Sequence, residues 1–164
     1  MPKQQKKKKA EIAVLLHNIR STHNVGSIFR TADALGVNKI YISGYTPTPL
    51  DKFDRSRKDI AKVALGAEKT IPWEYVKTSE KIIKTLKEQG YQIIGIEQAK
   101  NSIDYKKVKV NYPVLFVVGT EVTGIEKDIL KLCDVVAEIP MMGEKESLNV
   151  SVAFGVALFR ILGH

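Results

Sequence analysis

Short apolar runs alternate with amphipathic segments along the chain from Glu11 onward. Five runs are rich in Val, Ile, Leu or aromatic residues, a composition typical of parallel strands that are covered on both faces. The pattern predicts strands at Ile12–Leu16, Lys39–Ser43, Tyr91–Ile96, Val114–Val118 and Val135–Ile139. Because helical segments separate these runs, we expect an α/β fold with a mostly parallel sheet flanked by helices.

The segments between the runs have helical periodicity and recognisable ends. The predicted helices are Val25–Leu35, Lys58–Leu65, Ser79–Gln89, Ile125–Leu132 and Leu148–Leu162. Gly36 and Gly90 stand where a left-handed C-terminal cap belongs, and Thr78 or Ser79 can cap the start of the third helix. The last helix is apolar nearly all round, and a monomer of this size can scarcely bury it. We therefore expect the protein to self-associate.

Length and charge divide the chain into two parts. A chain of 164 residues with 44% hydrophobic content is sufficient for one core, so residues 10–164 are predicted to form a single domain. Residues 1–9 contain five lysines and no acid, and the whole chain has a net charge of +8. This pattern predicts a flexible basic arm in which Lys6, Lys7, Lys8 and Lys9 contact nucleic-acid phosphates. A merely solubilising tail is the alternative.

Several protein classes are disfavoured by what the sequence lacks. No apolar run approaches the roughly 18 residues of a membrane span, and the N-terminus has no secretory signal, so we expect a soluble cytoplasmic protein. Cys133 is the single cysteine, which excludes an internal disulfide. With His17, His23 and His164 as the other candidate ligands, we expect no metal site built from Cys and His.

Polar residues follow three of the predicted strands, at the sheet edge where α/β proteins bind ligands. The first group contains Asn24 and Arg30. On a helix these residues would be separated by about 240°, so they share a face only if Asn24 precedes the helix and caps it. Arg30 follows Ile28 and Phe29, and a guanidinium in apolar surroundings needs an anionic or hydrogen-bonding partner. An ordinary exposed arginine is the alternative.

The second group is Gly119-Thr120-Glu121-Val122-Thr123-Gly124. It matches neither the phosphate-binding loop nor the dinucleotide fingerprint, which disfavours ATP and NAD. Gly119 and Gly124 allow close backbone approach, with Glu121 between them. An ordinary strand-to-helix turn with a solvated glutamate is the alternative.

The third group follows the strand that ends at Ile139 and includes Ser147 and Asn149. We expect Ser147 to open the last helix. Asn149 then lies in its first turn, where a buried side chain must be hydrogen-bonded. The alternative is a helix capped by Ser147 in which Asn149 is satisfied locally.

Together the three groups resemble the SpoU/TrmH branch of the SPOUT RNA methyltransferases. The similarity lies in Asn24-Val25-Gly26-Ser27-Ile28-Phe29-Arg30-Thr31-Ala32-Asp33-Ala34-Leu35-Gly36, in Gly119–Gly124, in Ile139-Pro140-Met141-Met142-Gly143 and in Ser147-Leu148-Asn149-Val150-Ser151-Val152-Ala153. It extends from about Ala10 to the C-terminus. The order of these segments, each after an apolar strand, makes a chance match improbable.

The resemblance implies a C-terminal segment threaded into a deep trefoil knot, whose loops bind S-adenosylmethionine largely through main-chain groups. The implied cofactor-binding residues are Glu97, Gly119, Gly124, Ile139, Met141 and Leu148. It also implies attack of an RNA ribose 2′-hydroxyl on the sulfonium methyl. The implied catalytic residues are Arg30, Asn24, Glu121, Ser147 and Asn149. Relatives of this kind are homodimers whose sites combine residues from both subunits.

The expected substrate is RNA, and the sequence does not decide between tRNA and rRNA. Besides the lysine arm and Arg30, Arg55 and Arg57 in the loop Tyr45–Arg57 are candidate RNA contacts. A non-catalytic RNA-binding or assembly protein of the same fold is one alternative, and an enzyme that methylates a base is another.

Overall fold

A computed structural model describes residues 10–164 as a seven-stranded parallel sheet with helices on both faces. The strands are β1 (Ile12–His17), β2 (Lys39–Ser43), β3 (Trp73–Val76), β4 (Gln92–Ile96), β5 (Ile103–Asp104), β6 (Val114–Val118) and β7 (Val135–Glu138). Their order in the sheet is β3-β2-β1-β6-β4-β7-β5, and every neighbouring pair is parallel. The predicted basic arm lies outside the described residues.

The helices are α1 (Thr22–Ala34), α2 (Lys58–Ala64), α3 (Ala67–Thr70), α4 (Ser79–Glu88), α5 (Lys127–Leu130) and α6 (Val150–Leu162), with a 3₁₀ turn at Tyr105–Lys107. Alternate residues of the strands point to opposite faces of the sheet and form two separate hydrophobic cores. Leu16 and Phe116 pack with α1, α2 and α6 on one face of the sheet. Leu15 and Leu115 pack with α4 and α5 on the other face. Both faces are therefore covered, which explains the continuous apolar strands.

The α/β class and the five expected strands are confirmed, with ends that differ by at most one residue. The sequence patterns missed β3 and β5, the two edge strands. Positive φ angles of 69° at Gly36 and 89° at Gly90 confirm the conformation expected after α1 and α4. Among residues 10–164, no helix is both long and apolar enough to cross a membrane.

Two expectations about helix starts are wrong, and a third, for α4, is confirmed in the position of its cap residue. Ser21, not Asn24, caps α1, because the Ser21 hydroxyl accepts the Asn24 backbone N–H. Helix α6 begins at Val150 and is capped by Asn149 rather than by Ser147. Thr78 occupies the cap position of α4 without a side-chain cap hydrogen bond, and Ser79 is the first residue of that helix.

Candidate functional site

A cleft of about 280 Å³ opens beyond the carboxyl ends of β4, β6 and β7. Its walls come from the loops that follow these three strands. Every residue predicted to contact a cofactor lines it, namely Glu97, Gly119, Gly124, Ile139, Met141 and Leu148. Glu121 and Ser147 line it as well. The topology thus brings together groups that are up to 51 positions apart in the sequence, from Glu97 to Leu148.

Glycine at two positions lets the loops of the cleft pack closely. A Cβ atom on Gly119 would lie 2.6 Å from the carbonyl group of Gly124. Gly124 has a φ of +70°, which favours glycine, and a Cβ there would collide with the Glu97 carboxylate. Side chains at either position would therefore push the cleft walls apart.

Glu97 connects two walls of the cleft. Its carboxylate accepts the backbone N–H of Ile125 at 2.9 Å and that of Gln98 at 2.8 Å. The Glu97 backbone N–H donates to the Ala137 carbonyl at 3.0 Å. One residue therefore fixes the loops that follow β4 and β6 and ties both to the end of β7.

Glu121 reaches from the cleft to the loop that enters α1. Its carboxylate accepts the backbone N–H groups of Arg20 at 3.0 Å and Ser21 at 3.1 Å, and the Asn24 side-chain amide at 3.0 Å. Partial burial by itself raises the pKa of Glu121, but these donors outweigh it and hold the pKa below its usual value. Glu121 is therefore ionised at neutral pH and bound to the start of α1.

Asn24 connects Glu121 to the start of α6. Asn24 is buried, and its side-chain oxygen accepts the Asn149 amide at 3.2 Å. The Asn149 oxygen in turn accepts the backbone N–H of Ser151 at 2.9 Å and its hydroxyl at 2.7 Å. The chain Glu121–Asn24–Asn149 thus joins three segments that the sequence singled out separately.

Arg30 is the exception among the predicted catalytic residues. Its side chain is exposed, it does not line the cleft, and within residues 10–164 it makes no hydrogen bond or ion pair. Ile28 and Phe29 are fully buried while Arg30 is exposed, so its neighbours in sequence do not surround it with apolar groups. Within residues 10–164, Arg30 therefore contacts neither the Asn24 side chain nor the Glu121 carboxylate, which bond to each other. Ser147 lies at the cleft and is exposed.

Arg55 and Arg57 lie in the loop after β2, at the same edge of the sheet but outside the cleft. The Arg55 guanidinium is 2.9 Å from the Asp51 carboxylate and 4.9 Å from the centre of the Phe53 ring. Arg57 Nε is 3.6 Å from Asp59 Oδ1. Contact of either arginine with RNA stays a prediction.

Sequence reasoning missed Arg20 and Ser21, whose backbone N–H groups hold Glu121. Backbone donors leave no residue-type pattern, so no signal in the sequence pointed to them. Within residues 10–164, no group of three or more His, Cys, Asp or Glu side chains is placed to hold a metal ion.

The fold and the cleft define a class: an α/β protein with a ligand cleft at the carboxyl edge of a parallel sheet, closed by loops from its C-terminal half. The chain belongs to the SpoU rRNA methylase family, which matches residues 11–159. A trefoil knot in the C-terminal segment is characteristic of that family.

Relatives known by sequence include proteins from two staphylococci that are assigned by name to the TrmH family of tRNA/rRNA methyltransferases. That of Staphylococcus saprophyticus is 35% identical over 153 residues, which are 93% of this chain and 59% of the relative. That of Staphylococcus aureus strain COL is 34% identical over 160 residues, with 97% and 62% covered. The chain therefore spans about three fifths of the length of these relatives.

Two solved structures extend the comparison to the fold. An AdoMet-bound rRNA methyltransferase from Sinorhizobium meliloti matches with a TM-score of 0.84 and 28% identity, over 94% of this chain and 56% of the other. A TrmH/SpoU tRNA modifying enzyme from A. aeolicus matches with a TM-score of 0.81 and 30% identity, over 94% and 75%.

Proposed function

We propose that the protein is an S-adenosylmethionine-dependent methyltransferase that modifies a ribose 2′-hydroxyl of tRNA or rRNA. The observation that carries the proposal is the cleft beyond β4, β6 and β7, in which all six predicted cofactor-binding residues meet. The AdoMet-bound relative from Sinorhizobium meliloti has the same fold and supports this choice of ligand.

The residues of the cleft suit this cofactor. Main-chain groups near Gly119, Ile139, Met141 and Leu148 are available for the adenine, and the glycines leave the backbone accessible. The carboxylates of Glu97 and Glu121 supply negative charge for a sulfonium cation. The cofactor supplies an activated methyl group, so the main task of the protein is to hold the hydroxyl in line with it.

The chain Glu121–Asn24–Asn149 is assigned a positioning role in this proposal. It ties α1 and α6 to the cleft loop, so that the walls keep a fixed separation while RNA binds. Ser147, at the mouth of the cleft, is assigned to substrate contact. Such preorganisation makes positioning effective in catalysis.

Arg30 is assigned to the phosphate or developing alkoxide beside the target ribose. A guanidinium stays protonated, so it can bind an anion through two hydrogen bonds but cannot act as the base that removes a proton. Because Arg30 lies outside the cleft of its own chain, we assign it to the cleft of a partner subunit.

A homodimer built on α6 makes this arrangement possible. Val152, Val156 and Phe159 on this helix are 48%, 41% and 38% exposed, and they form an apolar stripe. Gly155 of α6 packs against Thr31 of α1, one residue from Arg30, with 3.5 Å between a Cβ built at Gly155 and the Thr31 methyl. A partner that covers the stripe would therefore lie beside Arg30.

Two measurements test the function. Titration calorimetry with S-adenosylmethionine should show binding, and its absence would favour a non-catalytic RNA-binding or assembly protein. Incubation with labelled cofactor and separate pools of tRNA and rRNA, followed by nuclease digestion and mass spectrometry, should place the methyl group on ribose. A methyl group on a base would contradict the 2′-hydroxyl assignment.

A further inference from the structure

The loop after β2 ends in a rigid turn that the proposed chemistry does not use. The Asp51 side chain accepts the backbone N–H groups of Phe53 at 2.8 Å and Arg55 at 3.1 Å. The Asp51 N–H donates to the Arg55 carbonyl at 2.8 Å, and Leu50 and Ser56 form an antiparallel bridge. The turn is therefore preorganised by its own hydrogen bonds.

This turn presents an aromatic ring to solvent. Phe53 is 63% exposed. The Arg55 guanidinium lies 4.9 Å and the Lys52 ammonium 5.0 Å from the ring centre, both in cation–π geometry. Asp51 holds Arg55 in that position with a 2.9 Å contact. The ring is thus oriented by charged neighbours rather than by burial in a core.

Two tyrosines continue the aromatic surface at the base of the loop. Tyr45 is 58% exposed and Tyr75 is 50% exposed. The Tyr75 hydroxyl donates to the Gly44 carbonyl at 3.0 Å, which brings the end of β3 next to Tyr45. We call Tyr45, Phe53 and Tyr75, with Lys52 and Arg55, the aromatic loop surface.

The base of this surface is bonded to the loop that holds Glu121. The Asn18 side chain accepts the Tyr45 N–H at 3.3 Å, and Thr46 Oγ1 accepts the Ile19 N–H at 2.9 Å. The next residue, Arg20, donates its N–H to Glu121. Since β2 is two strands away from β6, the bases of their loops are about 10 Å apart.

We propose that the aromatic loop surface is a stacking platform for an unpaired RNA base next to the methylated nucleotide. Exposed aromatic rings and guanidinium planes stack on bases of any identity, and interleaved cations attract the phosphates between them. Residues 45–58 carry four cations, Lys52, Arg55, Arg57 and Lys58, against the two acids Asp51 and Asp54. This excess of positive charge attracts a polyanion, and the exposed rings, which can stack on bases, favour RNA over an acidic protein partner.

The inference rests on the proposed function, and its test separates the two. The probe is a short single-stranded RNA of mixed sequence that carries 2-aminopurine, compared with the same strand in a duplex. Phe53→Leu should weaken binding of the single strand about tenfold to hundredfold and abolish the 2-aminopurine signal, because it removes a stacking face. Phe53→Trp should retain both, and neither change should alter duplex binding.

Tyr112→Leu is the matched control. Tyr112 is 40% exposed and directly precedes β6, so it lies at the amino ends of the strands, away from the loop after β2. S-adenosylmethionine affinity, measured in parallel, reports that each variant is folded. If Phe53→Leu and wild type bind the single strand equally, the platform is overturned and the proposed function stands. Equal losses for single strand and duplex would also overturn the platform. A wild-type protein that binds neither S-adenosylmethionine nor RNA would overturn the proposed function itself.

Discussion

The side-chain amide of Asn149 donates to the side-chain oxygen of Asn24 at 3.2 Å, which joins the start of α6 to the start of α1. Asn24 gives its own amide to Glu121 at 3.0 Å. Because an ionised carboxylate can only accept, Asn24 must point its nitrogen at Glu121 and its oxygen at Asn149. The hydrogen bonds therefore run in one direction through the three side chains.

Asn24→Asp tests this direction with almost no change in shape. The new carboxylate would face Glu121, so a donor is lost and two negative charges meet. We expect urea unfolding to show a loss of stability of about 1–3 kcal/mol. A labelled-cofactor assay should show that methyl transfer falls by roughly tenfold or more. His23→Asp, which places the same charge on an exposed neighbour, should change stability by less than about 0.5 kcal/mol. Equal losses of stability and activity in the two variants would contradict the assigned direction of the hydrogen bonds from Asn149 through Asn24 to Glu121.

Gly124→Ala tests the contact between the cleft loops. Gly124 and Gly36 have nearly equal φ angles, +70° and +69°, but a Cβ meets Glu97 at the first position and open space at the second. Both substitutions should cost about 1–2 kcal/mol of backbone strain. Gly124→Ala should also weaken S-adenosylmethionine binding, by roughly tenfold or more in calorimetry, while Gly36→Ala should not. Unchanged cofactor affinity in Gly124→Ala would contradict the assigned site.

Glu121 should make stability depend on pH in the acid range. The pKa of Glu121 is lower in the folded protein than its usual value near 4.5, so the ionised form stabilises the fold. That contribution is complete above the usual value and is lost as the pH falls through the lowered pKa. The difference in unfolding free energy between wild type and Glu121→Gln, from urea titrations, should therefore be constant near neutrality and shrink below about pH 4.5. A difference that grows on acidification would contradict the assignment.

The sheet shows which strands a sequence pattern can reveal. The five strands predicted from apolar runs, β1, β2, β4, β6 and β7, are the five interior strands. The missed strands, β3 and β5, are the edges, where burial is partial and the composition is mixed. Strands covered on both faces leave a continuous apolar signal, and edge strands do not.

Many residues that line the candidate cleft could be named from the sequence, whereas the hydrogen bonds that connect them could not. The cleft is formed by loops after apolar strands, where the carboxyl edge of the sheet points to a ligand site, and the family resemblance implied its individual cofactor-binding residues. Asn24 was misplaced because Ser21, three residues earlier, competes successfully for the cap. The partners of Glu121 include two backbone N–H groups, for which residue identity gives no information.

The apolar stripe on α6, formed by Val152, Val156 and Phe159, should be buried in the interface of a dimer. Val156→Glu places a charge at its centre, and we expect a shift from dimer to monomer in sedimentation or light scattering. Leu65→Glu is the control, because Leu65 is 65% exposed and lies at the end of α2. A wild-type protein that is monomeric at micromolar concentration would contradict the proposed dimer. It would also contradict the assignment of Arg30 to the cleft of a partner subunit.

Arg30→Lys distinguishes bidentate anion binding from simple charge. Lysine keeps the positive charge but lacks the planar fork that meets two oxygens of a phosphate or alkoxide at once. We expect methyl transfer to fall by about one to two orders of magnitude. S-adenosylmethionine affinity should be unchanged, since Arg30 is assigned to the phosphate or alkoxide of the RNA and not to the cofactor. Mixing Arg30→Lys with a cleft variant such as Gly124→Ala should restore part of the activity, because a mixed dimer has one intact cleft facing one intact arginine. Full turnover by Arg30→Lys would rule out the bidentate role, and no recovery on mixing would place Arg30 with its own cleft.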